Sequence, residues 1–256
     1  MKRLDNKIAV ITGAGSGIGK VAAEMFANEG AIVLILELSG KAADETATLI
    51  KNNGGKAFSY PVDISDEQAI KTVFSEIEKD FNGIDILYNN ASVFWGKKDA
   101  PLDILDMKVF EKIIKINLFG LVYCSKYAIP LMKKRGGGSI INTGSSASVI
   151  GIPECDSYTA AKGATVSLTR SMAVEFGPYN IRTNCICPAA IATPMIIESN
   201  LSDPKFNEQA FLDHGTPLKR WGKPEEIAST ALFLASTDAA YLNGSIIVAD
   251  GGITVM

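Results

Sequence analysis

Several things this sequence lacks narrow its function. It has one histidine, His214, and four cysteines, Cys124, Cys155, Cys185 and Cys187, with no CxxC pair among them. No zinc constellation can be built from that set, and no metal is expected. The cysteines read as reduced thiols of a cytoplasmic protein, with Cys185 and Cys187 as small core residues on one face of a strand. No stretch approaches the ~18 apolar residues of a membrane span. The apolar run after Lys7 is short and leads straight into glycines, so a signal peptide is not expected. A basic excess is also missing: 25 Lys and Arg stand against 28 Asp and Glu. Neither nucleic acid nor an anionic membrane is expected as a partner. The densest basic run, Lys133-Lys134-Arg135, falls at the end of a predicted helix, where cations complement the dipole. Repeats, low-complexity stretches and linkers are absent, so residues 1–256 are expected to form a single domain.

What is present is a regular alternation. Short apolar runs predict strands at Lys7–Thr12, Ala31–Leu36, Lys56–Val62, Ile84–Tyr88, Ser139–Thr143, Ile181–Cys187 and Ser245–Asp250. Between them lie helical patterns: one from Lys20, one over Lys41–Asn52, and one capped by Ser65 or Asp66 and running to Phe81. Three more cover Asp106–Arg135, Tyr158–Phe176 with Ser157 as N-cap, and Pro224–Ser236. Val93–Leu105 reads as irregular, and residues 189–222 as a substrate-loop segment, of which 195–222 is expected to be mobile with short helices. Strands alternating with helices require a parallel sheet. The expected fold class is α/β: a seven-stranded, doubly wound parallel sheet with helices on both faces.

The first strand ends in Thr12-Gly13-Ala14-Gly15-Ser16-Gly17-Ile18-Gly19 and a helix follows. A glycine turn between strand and helix suits a pyrophosphate, which backbone N–H groups at the helix N-terminus can face. The spacing is Gly13-x-x-x-Gly17-x-Gly19. Glu37 ends the second strand, 18 residues after Gly19. There a dinucleotide fold places an acid on the adenosine ribose hydroxyls. A carboxylate repels a 2′-phosphate, and neither Leu38 nor Ser39 offers a cation, so the cofactor expected is NAD. Asn89-Asn90-Ala91-Ser92 follows the fourth strand at its carboxyl end, the edge where parallel sheets bind ligands.

Tyr158 and Lys162 stand four residues apart, one turn apart on one helix face. A nearby ammonium favours the phenolate and is expected to lower the tyrosine's pKa, which suits a general acid–base. Alone, the spacing is common by chance. Ser145 precedes Tyr158 by 13 residues, after the fifth strand, and Asn117 lies inside the fourth predicted helix.

Together, Gly13-x-x-x-Gly17-x-Gly19, Asn89-Asn90-Ala91, Asn117, Ser145, Tyr158-x-x-x-Lys162 and Pro188…Thr193 resemble the classical short-chain dehydrogenases/reductases. The resemblance runs from Lys7 to Gly252. It implies a single-domain Rossmann fold that interconverts a secondary alcohol and a ketone with NAD, in a homotetramer. Tyr158 would exchange the proton with the substrate oxygen, and Ser145 would hydrogen-bond that oxygen. Lys162 would depress the tyrosine's pKa and hold the nicotinamide ribose. Asn117 would hold a water linking Lys162 to solvent. Gly13, Gly15, Ser16, Gly17, Ile18 and Gly19 would cradle the pyrophosphate. Asp63 and Ile64 would lie near the adenine, Asn90 near the adenine-side ribose, and Ile191 and Thr193 beside the carboxamide. The sequence departs from the family where Ser92 and Ala189 replace usual glycines, which matters if the backbone there needs φ > 0.

Trp95, Cys155 and Ser145 are the substrate contacts expected, with Ser146, Ala147, Val149, Glu154, Ala189 and the segment from Met195 to His214 around them. His214 itself reads as a surface residue. The mixture suits a small or medium substrate, cyclic, polyol or sugar-like. A non-catalytic NAD-sensing protein on the same fold would show a broken Asn117/Ser145/Tyr158/Lys162 set. An epimerase, dehydratase or dehalogenase variant would usually lose the Tyr–Lys pair or the glycine turn. Neither loss occurs in this sequence.

Overall fold

A computed structural model describes residues 2–197 and 206–256. The part of the substrate segment at 198–205, and the side chain of His214, lie outside the described residues.

The chain alternates as its periodicity predicts. It runs β1 (Ile8–Thr12), α1 (Gly17–Asn28), β2 (Ile32–Glu37), α2 (Gly40–Asn52), β3 (Lys56–Pro61), α3 (Glu67–Phe81) and β4 (Ile86–Asn89). Then come α4 (Met107–Ile114), α5 (Gly120–Lys134), β5 (Gly138–Thr143), α6 (Asp156–Phe176) and β6 (Ile181–Pro188). The last elements are α7 (Pro194–Ile196), α8 (Glu208–Gly215), α9 (Pro224–Ala235) and β7 (Ile246–Ala249).

The seven strands form one sheet in the order β3-β2-β1-β4-β5-β6-β7. Every neighbouring pair is parallel; Ala9, for example, pairs with Val33 on one side and Ile86 on the other. The order reverses between β1 and β4, and such a switch point opens a crevice at the strands' carboxyl ends.

Both faces of the sheet are covered, and its central strand β1 is buried at every residue. Alternate residues of β1 serve opposite faces. Ala9 and Ile11 pack with Phe26 of α1, Ile50 of α2 and Ile227 of α9. Ile8 and Val10 pack with Phe74 of α3, Ala128 of α5 and Met172 of α6. Each fully buried branched side chain stabilises the fold by roughly 2 kcal/mol, so a rigid sheet carries the loops that make the site.

Two expectations are corrected. The long helix over Asp106–Arg135 is divided: between α4 and α5 one π-helical turn, Lys115–Phe119, carries Asn117. Hydrophobic period alone cannot reveal a single inserted residue, and π-turns of this kind occur often at functional sites. Ser157 is also not the N-cap of α6. The helix begins at Asp156, and Cys155 holds the cap position without a side-chain capping bond. A carboxylate from a distant loop, Asp99, supplies the cap instead.

Candidate active site

The crevice at the switch point is a cleft of about 980 Å³. Its walls include Gly13, Ser16, Gly17, Ile18, Glu37, Asp63, Ile64, Asn90, Trp95, Ser145, Tyr158, Ile191 and Thr193, which brings together most of the residues the motifs single out. Gly15, Gly19, Asn117 and Lys162 stand just behind those walls.

The glycine turn is built for close approach. Gly13 has φ +66°, and a Cβ there would lie 2.8 Å from the Cα of Ala91. A Cβ on Gly19 would meet the Gly13 carbonyl and lie 2.5 Å from Asn90 Nδ2. Asn90 locks the turn to β4: its amide nitrogen Nδ2 donates to the carbonyls of Thr12 at 3.1 Å and Gly13 at 3.3 Å. Ser16 is the N-cap of α1, and its side chain makes no capping bond. The first-turn N–H groups are therefore not taken up by a side-chain cap, which fits a phosphate.

Glu37 sits over this turn. Its Oε2 accepts from Gly15 N at 3.0 Å and its Oε1 from Ser39 N at 3.1 Å. A side chain on Gly15 would collide with it, since a Cβ would fall 2.9 Å from Glu37 Cδ. Asp63 accepts from Ser65 N at 2.8 Å beside Ile64. Thr193 donates to the Ile191 carbonyl at 3.3 Å and stands against Gly17. These residues make a trough with an anion cradle and an adjoining carboxylate, and they fit a dinucleotide.

The other half of the cleft holds the proton-transfer groups. Ser145 follows β5 and opens a 3-10 turn over Ser146–Ser148, its Oγ accepting from Ala147 N at 3.2 Å. Ser148 Oγ accepts from Ser145 N at 3.1 Å and donates to the Lys162 carbonyl at 2.9 Å, tying the serine turn to α6. Tyr158 keeps part of its surface on the cleft. Lys162 is 2% exposed, and its Nζ donates to the Thr143 carbonyl at 2.8 Å.

The expected effect of Lys162 on Tyr158 is not what the protein alone produces. Burial pushes the phenol up to about 12, with the Ser145 hydroxyl pulling the other way. Burial also brings Lys162 down to about 8. The ammonium is spent on the Thr143 carbonyl and lies 5.6 Å from the tyrosine ring centroid. Desolvation outweighs the neighbouring charge here, because taking a phenolate out of water costs more than one displaced ammonium returns.

Asn117 is buried, and its side chain is engaged at both ends by one residue. Oδ1 accepts from Val93 N and Nδ2 donates to the Val93 carbonyl, both at 2.8 Å. The amide clamps the loop after β4. Cys155 does not line the cleft. It is 2% exposed beneath the first turn of α6, with its thiol donating to the Ile152 carbonyl at 3.2 Å. A strand-to-helix loop can turn a side chain either way, and here the thiol turns inward. Ala147, Val149 and Glu154 also lie outside the cleft wall, whereas Ser146, Ala189 and Met195 line it. Cys185 and Cys187 are buried on one face of β6, with their sulfurs 4.0 Å apart. Among the described residues no cluster of ligands could hold a metal.

A family model described as enoyl-(acyl carrier protein) reductase matches residues 13–254. An uncharacterized oxidoreductase of Bacillus subtilis, YxbG, is 43% identical over 257 residues, covering 99% of this chain and 93% of its own. The chain belongs to the classical short-chain dehydrogenase/reductase family. Meso-2,3-butanediol dehydrogenase of Serratia marcescens, another relative, is 38% identical over 254 residues, with 98% of this chain and 96% of that one covered. Among solved structures, levodione reductase superposes with a TM-score of 0.93 at 32% identity over 99% of both chains. A gluconate 5-dehydrogenase of Burkholderia cenocepacia, in complex with NADP and tartrate, gives 0.92 at 31% identity over 99% and 97%. As a short-chain dehydrogenase/reductase the chain is an oxidoreductase with a nicotinamide cofactor.

Several lining residues of this dehydrogenase were not named individually from the sequence. Phe94 packs edge-on against the Tyr158 ring, centroids 5.0 Å apart. Ile152, Phe211, Trp221 and Ile253 reach the same wall from distant parts of the chain. Phe94 was open to inference as the aromatic beside Trp95, and Phe211 and Trp221 fall within the expected substrate-loop segment; Ile152 and Ile253 depend on how the loops fold back. The two replaced glycines are accommodated without strain, because neither Ser92 nor Ala189 adopts a positive φ.

Proposed function

We propose that this chain is an NAD-dependent oxidoreductase interconverting a secondary alcohol and a ketone. The observation that carries the reading is one cleft that holds Ser145 and Tyr158 at one end and the glycine turn with Glu37 at the other. Bound there, NAD would supply the hydride acceptor and, oxidised, a positive charge that favours the phenolate. Gly13 to Gly19, Glu37, Asp63, Ile64, Asn90, Ile191 and Thr193 would hold it.

Tyr158 takes the hydroxyl proton in oxidation and returns it in reduction. Ser145 hydrogen-bonds the substrate oxygen and aims the carbon. Lys162, held by Thr143, keeps a positive charge behind the phenol and would hold the nicotinamide-side ribose. Glu37 chooses NAD over NADP, since its carboxylate occupies the place a 2′-phosphate would need. The NADP-bound relative makes that choice the point to test in this chain.

Phe94, Trp95, Ile152, Met195, Phe211 and Trp221 give the substrate end an apolar, aromatic wall. It suits a small or medium cyclic alcohol or ketone first, and a polyol or sugar-like one second. A homotetramer is the assembly carried over from the family, in line with the exposed Phe119 after α4 and Val174 on α6.

The test is turnover of a panel of cyclic, acyclic and sugar-like alcohols and ketones with NAD or NADH. Tyr158→Phe is expected to lower turnover by about a thousandfold while leaving NAD affinity intact. Near-wild-type turnover in that variant overturns the mechanism, whereas a wild type that binds NAD but turns over nothing in the panel leaves the non-catalytic NAD-sensing reading.

A further inference from the structure

Asp99 lies in the irregular stretch between β4 and α4, and it is 6% exposed. Burying a carboxylate is costly unless hydrogen bonds replace its hydration. Asp99 has four. Its Oδ1 accepts from Ala100 N at 3.0 Å, Ser157 N at 3.1 Å and Ser157 Oγ at 2.7 Å, and its Oδ2 accepts from Tyr158 N at 2.9 Å. Three of the four donors belong to the first turn of α6.

That turn needs them. The first four N–H groups of a helix have no partner within it, and Cys155 at the cap position offers none. Asp99 caps the helix from a segment 59 residues away and sets a negative charge against the positive end of its dipole. The contact is reciprocal. Asp156, the first residue of α6, accepts from Leu102 N at 3.0 Å in the same loop. Each segment closes the other with a carboxylate.

The loop so held is the one that walls the substrate end of the cleft. Asp99 N donates to the Trp95 carbonyl at 2.8 Å, which fixes Trp95 relative to Asp99. Phe94 packs on the Tyr158 ring, and Val93 is clamped by Asn117. The loop is fastened at Val93 to the π-turn and at Asp99 to the catalytic helix, with both aromatics between the two fastenings.

We propose that Asp99 is a positioning residue for Tyr158. Its carboxylate holds the backbone of Ser157 and Tyr158, and by the same bonds seats Phe94 and Trp95 over the cleft. The proton-transfer group and the substrate wall are thereby one mechanical unit. This rests on Tyr158 being the proton-transfer group, as proposed above. Asp156, on the helix side of the clasp, holds the loop at Leu102 and so acts on the wall.

The variants separate the two halves. Asp99→Asn keeps the shape but turns an N–H toward either Ser157 or Tyr158. It is expected to lower kcat at least about tenfold while NAD affinity stays within about twofold of wild type. Asp156→Ala is expected to raise KM for the alcohol several-fold with kcat within about twofold, and Asp156→Asn, which keeps an acceptor for Leu102 N, to behave as wild type. Amide hydrogen exchange reads the clasp without any substrate. In Asp99→Asn the Ser157 and Tyr158 amides should exchange at least about tenfold faster, with the sheet unchanged.

Unchanged kcat, or unchanged exchange at those two amides, overturns the proposal. So does a loss of kcat matched by equal losses of NAD affinity and of sheet protection, which would make Asp99 a general support of the fold. If Asp99→Asn does not fold, Asp99→Glu tests the same point with the charge carried one methylene too far. Failure of both to fold also overturns the positioning role. A wild-type enzyme that turns over no alcohol or ketone in the panel counts against the proposed function, while the exchange measurement still decides the clasp.

Discussion

Replacing Glu37 tests cofactor choice at one atom pair. Its carboxylate is held by Gly15 N at 3.0 Å and Ser39 N at 3.1 Å, so it cannot swing away without giving up both bonds. A 2′-phosphate on the adenosine ribose would have to approach it. Two unit negative charges about 4 Å apart repel by roughly 4 kcal/mol at an effective dielectric constant near 20. Solvent on the open side of the cleft reduces this, and about 2–3 kcal/mol is a reasonable net figure. Since every ~1.4 kcal/mol is tenfold, wild-type kcat/KM with NAD should exceed that with NADP by roughly 30- to 150-fold. Glu37→Ser removes the charge and should bring the ratio to within about fivefold of one, mostly by improving NADP. Adding Leu38→Arg, at an exposed position beside it, should reverse the preference. The assay is initial rates with both cofactors at a fixed saturating alcohol. A wild type that prefers NADP, or a ratio unmoved by Glu37→Ser, refutes the reasoning.

Oxidation and reduction should respond to pH in opposite senses. Alcohol oxidation needs the phenolate, and burial holds the Tyr158 phenol up toward about 12. Its rate should climb from neutral pH into the alkaline range, while ketone reduction, which needs the protonated phenol, should fall; an oxidation maximum below pH ~7 would contradict the assignment. Gly19→Ala would place a methyl against the Gly13 carbonyl and Asn90 Nδ2. It should weaken NAD binding at least about tenfold, measured by quenching of intrinsic fluorescence; unaltered affinity would show that the turn does not cradle the cofactor.

Much of the site was legible because its residues follow strand ends. A buried parallel strand is a continuous apolar run, and the polar cluster after it falls at the carboxyl edge of the sheet by geometry alone. That is why Gly13 to Gly19 after β1, Glu37 at the end of β2, Asn90 after β4 and Ser145 after β5 meet in one cleft. What failed was local. The π-turn around Asn117 inserts within a helix whose hydrophobic period hardly changes. The cap of α6 comes from Asp99, which no pattern within the helix points to. The inward turn of Cys155 is a rotamer and loop matter that spacing does not encode.

By itself, the sequence determined the order of strands and helices, the one-domain parallel sheet, the glycine turn with its carboxylate, and the Tyr158–Lys162 pair. These depend on period, local conformational preference and short spacing, which neighbouring residues decide. Only the tertiary structure decided the protonation energetics and the support of the site. The Tyr158 phenol is pushed up because three-dimensional burial excludes water, and Lys162 is turned onto Thr143 because that carbonyl lies beside it in the folded sheet. Asp99 meets Tyr158 across 59 residues of chain. Solvent exclusion and contacts between distant segments are properties of the packed molecule, and no stretch of the chain carries them alone.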